Sequence, residues 1–129
     1  MVLNPEKWVE PMADAGANQY TFHVEACDDV PHLCRKIRES GMRAGIAVKP
    51  TTPVETIIPY SDYFDMALIM TVEPGFGGQR FMENMMSKVV ALRALFPNLD
   101  IEVDGGVGPA NTHIVAEGGT KLLILIIQF

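Results

Sequence analysis

Short apolar runs alternate with longer segments of helical period along this chain, and that alternation calls for repeated βα units on a parallel sheet. Met66 to Thr71 and Leu122 to Ile127 are continuous apolar runs suited to buried strands. Gln19 to Val24, Arg43 to Val48 and Asp100 to Val103 read as further strands, and Met1 to Leu3 as the remnant of a sixth. The first helix is expected over Pro5 to Ala15, with Asn4 as N-cap, Pro5 at the first helical position and Gly16 ending it. Asp28 to Ser40 places Val30, Leu33, Cys34, Ile37 and Arg38 at helical spacing and stops at Gly41. Pro50 and Pro53 leave room only for a short helix over Val54 to Tyr60. Met85, Val89, Leu92 and Phe96 mark a helix that Pro97 stops, and Asn111 to Glu117 is the last one.

Connections this short between alternating elements favour a closed barrel, although an open doubly wound sheet has the same local pattern. A complete (β/α)8 barrel typically needs about 250 residues, and this chain has 129. With 48% hydrophobic and 20% charged residues, a packed core is expected. The formal charge of -6, without clustered Lys and Arg, argues against nucleic acid as a partner. The longest apolar run, Leu122 to Ile127, is far below the roughly 20 residues that span a bilayer, and no basic region with an apolar signal core opens the chain. A cytoplasmic protein without a membrane partner is therefore expected. Cys27 and Cys34 lie seven apart without a second pair, so they read as buried or idle thiols.

Two glycine-rich segments follow predicted strands. In Glu73, Pro74, Gly75, Phe76, Gly77, Gly78, Gln79, backbone N–H groups exposed by the glycines can wrap a phosphate, because no side chain blocks the approach. The same glycines would also serve a plain turn. In Asp104, Gly105, Gly106, Val107, Gly108, a carboxylate closes a short apolar strand, the position from which barrels reach their substrates. An N-cap or turn role is its structural alternative. His23, at the end of its strand, faces either the barrel mouth or a structural hydrogen bond. Met70 stands where an apolar side chain can wall a pocket, whereas Met66 reads as core. His32 and His113 read as surface residues, and Lys49 as solvent-exposed.

The segments "MALIMTVEPGFGGQRF" (66 to 81) and "DIEVDGGVGPANT" (100 to 112) together resemble the ribulose-phosphate 3-epimerase family. "NQYTFHVEA" (18 to 26) and "GMRAGIAVKPTTPVE" (41 to 55) are similar to that family's fourth and fifth strands. The resemblance implies an α/β fold, a partial (β/α)8 barrel of the ribulose-phosphate-binding type, running over 1 to 129 from about the end of strand 3 to strand 8. It implies interconversion of D-ribulose 5-phosphate and D-xylulose 5-phosphate in the pentose phosphate pathway, on a barrel that forms a homodimer. By the same resemblance Asp104 is an acid/base group and metal ligand, and Gly75, Phe76, Gly77 and Gly78 contact the substrate phosphate. Gly105 and Gly106 neighbour it, and Met70 walls the pocket. A divalent metal, iron, zinc, manganese or cobalt, is implied with them.

The departures are equally definite. The family's His-x-Asp on the second strand, its first-strand serine and its third-strand histidine have no counterpart here. The Gly-Ser pair of the last strand is replaced by "GGTKLLILIIQF". The chain therefore reads as a fragment with an aberrant carboxyl terminus, expected to be inactive alone. A non-catalytic isoform that binds a full-length subunit is the alternative, and another phosphate-binding barrel enzyme the remote third.

Overall fold

A computed structural model describes residues 2–73, 75 and 79–120, together with the backbone of 122–124. Within these residues the chain forms one parallel sheet in the order β1-β2-β3-β4-β5. The strands are β1 (Gln19–His23), β2 (Arg43–Val48), β3 (Met66–Met70), β4 (Asp100–Asp104) and β5 (Leu122–Ile124). A doubly wound sheet reverses its strand order at a switch point, whereas here every strand lies beside its predecessor. The fold is α/β, a partial (β/α)8 barrel.

Among the described residues four helices cover one face: α1 (Val9–Asp14), α2 (Val30–Glu39), α3 (Met86–Leu95) and α4 (Thr112–Glu117). The segment expected as one helix from Pro5 instead opens with a 3-10 turn, Pro5–Trp8, and Asn4 gives it no side-chain cap. The stretch from Val54 to Tyr60 likewise resolves into two 3-10 turns, Val54–Thr56 and Ile58–Tyr60, because Pro59 has no N–H to extend the first. Val2 and Leu3, expected with Met1 as the remnant of a sixth strand, lie outside the sheet, and Leu3 is 90% exposed. The 3-10 turn begins two residues after Leu3, at Pro5. Met1 and residues 125–127 of the expected last strand lie outside the described residues. Asp29 caps α2 by accepting from the His32 amide at 3.1 Å.

The two faces of the sheet separate by the strand's period of two. Ile46, Ala67, Ile69, Ile101 and Val103 point to the helices and pack with Leu33, Ile37, Val89, Leu92 and Val115. Each fully buried Leu, Ile or Val contributes roughly 1.5–3 kcal/mol, so this layer carries most of the apolar stabilisation. Arg38, which falls at helical spacing with that stripe, is exposed and turns away to pair with Asp65. The inner face has its own small cluster, Ala47, Met66, Leu68, Met70 and Val72.

Candidate active site

Register determines which side chains meet at the inner face. His23 pairs with Ala47, Ala47 with Leu68, and Leu68 with Glu102, so these four form one cross-strand row. Met70 pairs with Asp104 in the row nearer the carboxyl ends. The strand period thus places Asp100, Glu102 and Asp104 on the same side of β4.

Burial raises the pKa of the Asp104 carboxyl, and the charge of His23 offsets this in part. Burial also raises Glu102, and the neighbouring charge of Asp104 adds to it. Glu102 is 7% exposed. Two carboxylates near one another in a partly dry setting are poised to hold a proton more readily than in water. The sequence does not single out Glu102, although its alternation with Asp100 and Asp104 is visible there.

His23 is oriented rather than loose. Its Nδ1 lies 3.2 Å from Glu25 Oε1, and the Lys49 amide donates to Glu25 Oε2 at 3.3 Å. Burial opposes the Glu25 charge, but bonds from Thr52, Lys49 and His23 hold the carboxyl below its usual range. The loop after β2 is held in turn by Lys88 of α3, whose Nζ donates to the carbonyls of Lys49, Pro50 and Thr52 at 3.3, 2.9 and 2.7 Å. All three ammonium protons are thereby used. Lys49 itself is half-buried rather than solvent-exposed, with its carbonyl held by Lys88 and its amide by Glu25. His32 and His113 are exposed, as expected, and His32 Nε2 lies 3.0 Å from Glu6 Oε1.

The two glycine-rich segments converge. Thr71, directly after β3, is fully buried; its amide donates to the Asp104 carbonyl at 3.0 Å and its hydroxyl to the Gly105 carbonyl at 2.6 Å. The Met82 amide donates back to the Thr71 carbonyl at 2.7 Å. Gln79 Nε2 closes the loop on itself through the Glu73 carbonyl at 2.5 Å. Gly105 and Gly106 adopt φ of 128° and 67°. A Cβ on Gly105 would overlap the Val72 side chain, and one on Gly106 would overlap the Phe81 amide nitrogen. Only glycine fits this approach. Gly75 lies in the same loop, with φ 137°, while Phe76, Gly77 and Gly78 lie outside the described residues.

Residues 1–127 match the family model described as "Ribulose-phosphate 3 epimerase family". The chain belongs to that family. It is 51% identical over 124 residues to the ribulose-phosphate 3-epimerase of Candida glabrata, covering 96% of this chain and 50% of that protein. It is 50% identical to the ribulose-phosphate 3-epimerase of Eremothecium gossypii, covering 96% of this chain and 52% of the relative. The cytoplasmic isoform of Oryza sativa subsp. japonica is 48% identical, covering 96% of this chain and 56% of the relative. The chain thus spans about half the length of the curated relatives it matches.

The epimerase family membership makes a metal worth testing against the donors present. Among the described residues no three His, Cys, Asp or Glu side chains gather where a cation could be held. Asp104 is one donor, and His23 is turned to Glu25. The residues described do not by themselves fit such a centre. Among them, too, no helix is long and apolar enough to cross a membrane.

Proposed function

We propose that this chain supplies the phosphate-gripping part and one proton-transfer group of a ribulose-phosphate 3-epimerase, which interconverts D-ribulose 5-phosphate and D-xylulose 5-phosphate. The observation that carries the reading is the juxtaposition of Asp104 with the two interlocked glycine-rich loops at one end of the sheet. In this reading β1 to β5 are strands four to eight of the barrel. Substrate phosphate sits against the amides of Gly75 to Gly78 and of Gly105 and Gly106, and Met70 walls the sugar.

Epimerisation beside a ketone removes a proton from one face of the carbon and returns one to the other. Two acid/base groups must therefore flank that carbon. Asp104, with its carboxyl raised towards the range where a proton is both accepted and released readily, is suited to be one of them. The other is not among this chain's residues in the reading given by the resemblance. The divalent cation expected for the family, iron, zinc, manganese or cobalt, likewise needs donors beyond Asp104. Assembly as a homodimer in the cytoplasm goes with the same reading.

The test is a titration of the isotopically labelled chain with D-xylulose 5-phosphate, followed by NMR, alongside a coupled turnover assay. Amide shifts are expected at 75, 79–82 and 104–108 and not in α2. Turnover is expected to fall short of an intact epimerase by about 100- to 10,000-fold or more, the usual effect of one missing acid/base group. Absence of shifts in both glycine-rich segments would overturn the assignment of the phosphate site, and near-normal turnover would overturn the division of catalytic groups.

A further inference from the structure

We infer that Thr71 is a positioning residue, a buried tie that fixes the Asp104 backbone and the two glycine-rich loops relative to one another. The inference rests on the phosphate-site reading above for its purpose, and on the geometry around Thr71 for its existence. Three bonds converge on this one residue. Its amide and hydroxyl donate to the consecutive carbonyls of Asp104 and Gly105, and its carbonyl accepts from Met82 on the returning limb of the loop. The residue is 0% exposed, so water cannot substitute for the hydroxyl without a rearrangement.

The side chain is as specific as the backbone bonds. Valine has the same shape but no donor, and would leave the Gly105 carbonyl buried without its 2.6 Å partner. Serine keeps the donor and loses only a methyl group. Around this tie the loops touch too closely to slide, since side chains at Gly105 and Gly106 would collide with Val72 and Phe81. An acid/base group and a phosphate cradle acting on one small substrate must keep their separation, because a misplacement of about 1 Å can cost roughly 100-fold in rate. Thr71 is a side chain that reaches from one loop to the other.

The experiment compares the full chain with Thr71→Val, Thr71→Ala and Thr71→Ser by amide-resolved hydrogen exchange and by titration with inorganic phosphate. Thr71→Val is expected to speed exchange at Met82 and at 106–108 by at least about tenfold and to weaken phosphate binding at least about fivefold. Amides of β1 and β2 should stay within about twofold of the parent chain, and Thr71→Ser should restore both readouts. Uniform acceleration across all strands, no acceleration at all, or failure of serine to restore the pattern overturns the tie. If valine does not fold, alanine decides by the same pattern, and unfolding of both shows a global rather than a local role, which also overturns it. If the parent chain binds no phosphate, the phosphate-site reading fails, while the exchange pattern still decides whether Thr71 is the tie.

Discussion

At the amino ends of the strands Arg43 meets Asp100 at 2.7 Å, and Arg38 meets Asp65 at 2.9 Å. Asp65 also accepts from the Ala44 amide at 2.9 Å. At the carboxyl ends Glu102 and Asp104 stand near each other with both pKa values raised. At the amino ends Asp65 and Asp100 each meet a donor, whereas Glu102 and Asp104 on the same sheet sit in an environment that resists their charge. Barrels divide their labour in this sense, with stability concerns at one end and chemistry at the other. The contrast teaches that the same strand can start in a stabilising ion pair and finish in a costly acid, as β4 does from Asp100 to Asp104.

The largest expected effect lies where the costly end is most tightly built. Gly105→Ala forces a side chain into a φ of 128° and into Val72, and should lower stability by about 3 kcal/mol or more in urea unfolding. A loss below about 1 kcal/mol would mean that the loops are not interlocked. Next is Asp65→Ala at the opposite end, which strips Arg38 and the Ala44 amide of their acceptor and should cost about 2 kcal/mol. Lys88→Met, which releases three carbonyls near the surface, should cost about 1–2 kcal/mol, and should loosen amide protection at 49–56 more than elsewhere. Burial lowers the Lys88 pKa, with Glu25 and Glu55 opposing, so its cost is softened by removal of a poorly solvated charge.

The smallest effect has the opposite sign. Asp104→Asn should raise stability near neutral pH by a few tenths to about 1 kcal/mol, because it removes a carboxylate whose charged form the fold disfavours. Burial and the Asp104 charge affect Glu102 alike, so Glu102→Gln should act in the same direction. For these raised acids the folded chain binds more protons than the unfolded one, so their penalty is full above the raised folded value and vanishes below the ordinary carboxyl value, 3.8 for Asp104. Asp65 runs the other way. Burial opposes its charge, but the Ala44 amide and Arg38 hold its carboxyl below the ordinary range. Its contribution is therefore complete above the unfolded value and lost as pH falls through the lower folded value. A stability series from neutral to acid pH should show the gain of Asp104→Asn disappearing as pH falls to the ordinary carboxyl value, before Asp65→Ala begins to approach the parent below that value.

Much of this contrast was legible in the sequence at one end only. Met66 to Met70 and Arg43 to Val48 announce buried parallel strands by composition, and Asp104 announces itself by closing a strand before two glycines. The first helix was less legible, because Pro5 fits both an α-helical start and the 3-10 turn it makes. Lys88 could not be read at all: its three acceptors lie on a loop 36 to 39 residues earlier, and no local pattern encodes that meeting. Thr71 is similar, since its acceptors come from the next strand. Arg38 shows the reverse error, in which helical spacing suggests an apolar stripe and a distant Asp65 decides where the side chain goes.

The consecutive order of the five strands has a consequence for biosynthesis. As the chain leaves the ribosome, β2 finds β1 already available to pair with, β3 finds β2, and so on through β5. Each closing loop is about one βα unit long, which keeps the entropy of every pairing step small and similar. The sheet can therefore grow by accretion, one repeat at a time, in the direction of synthesis.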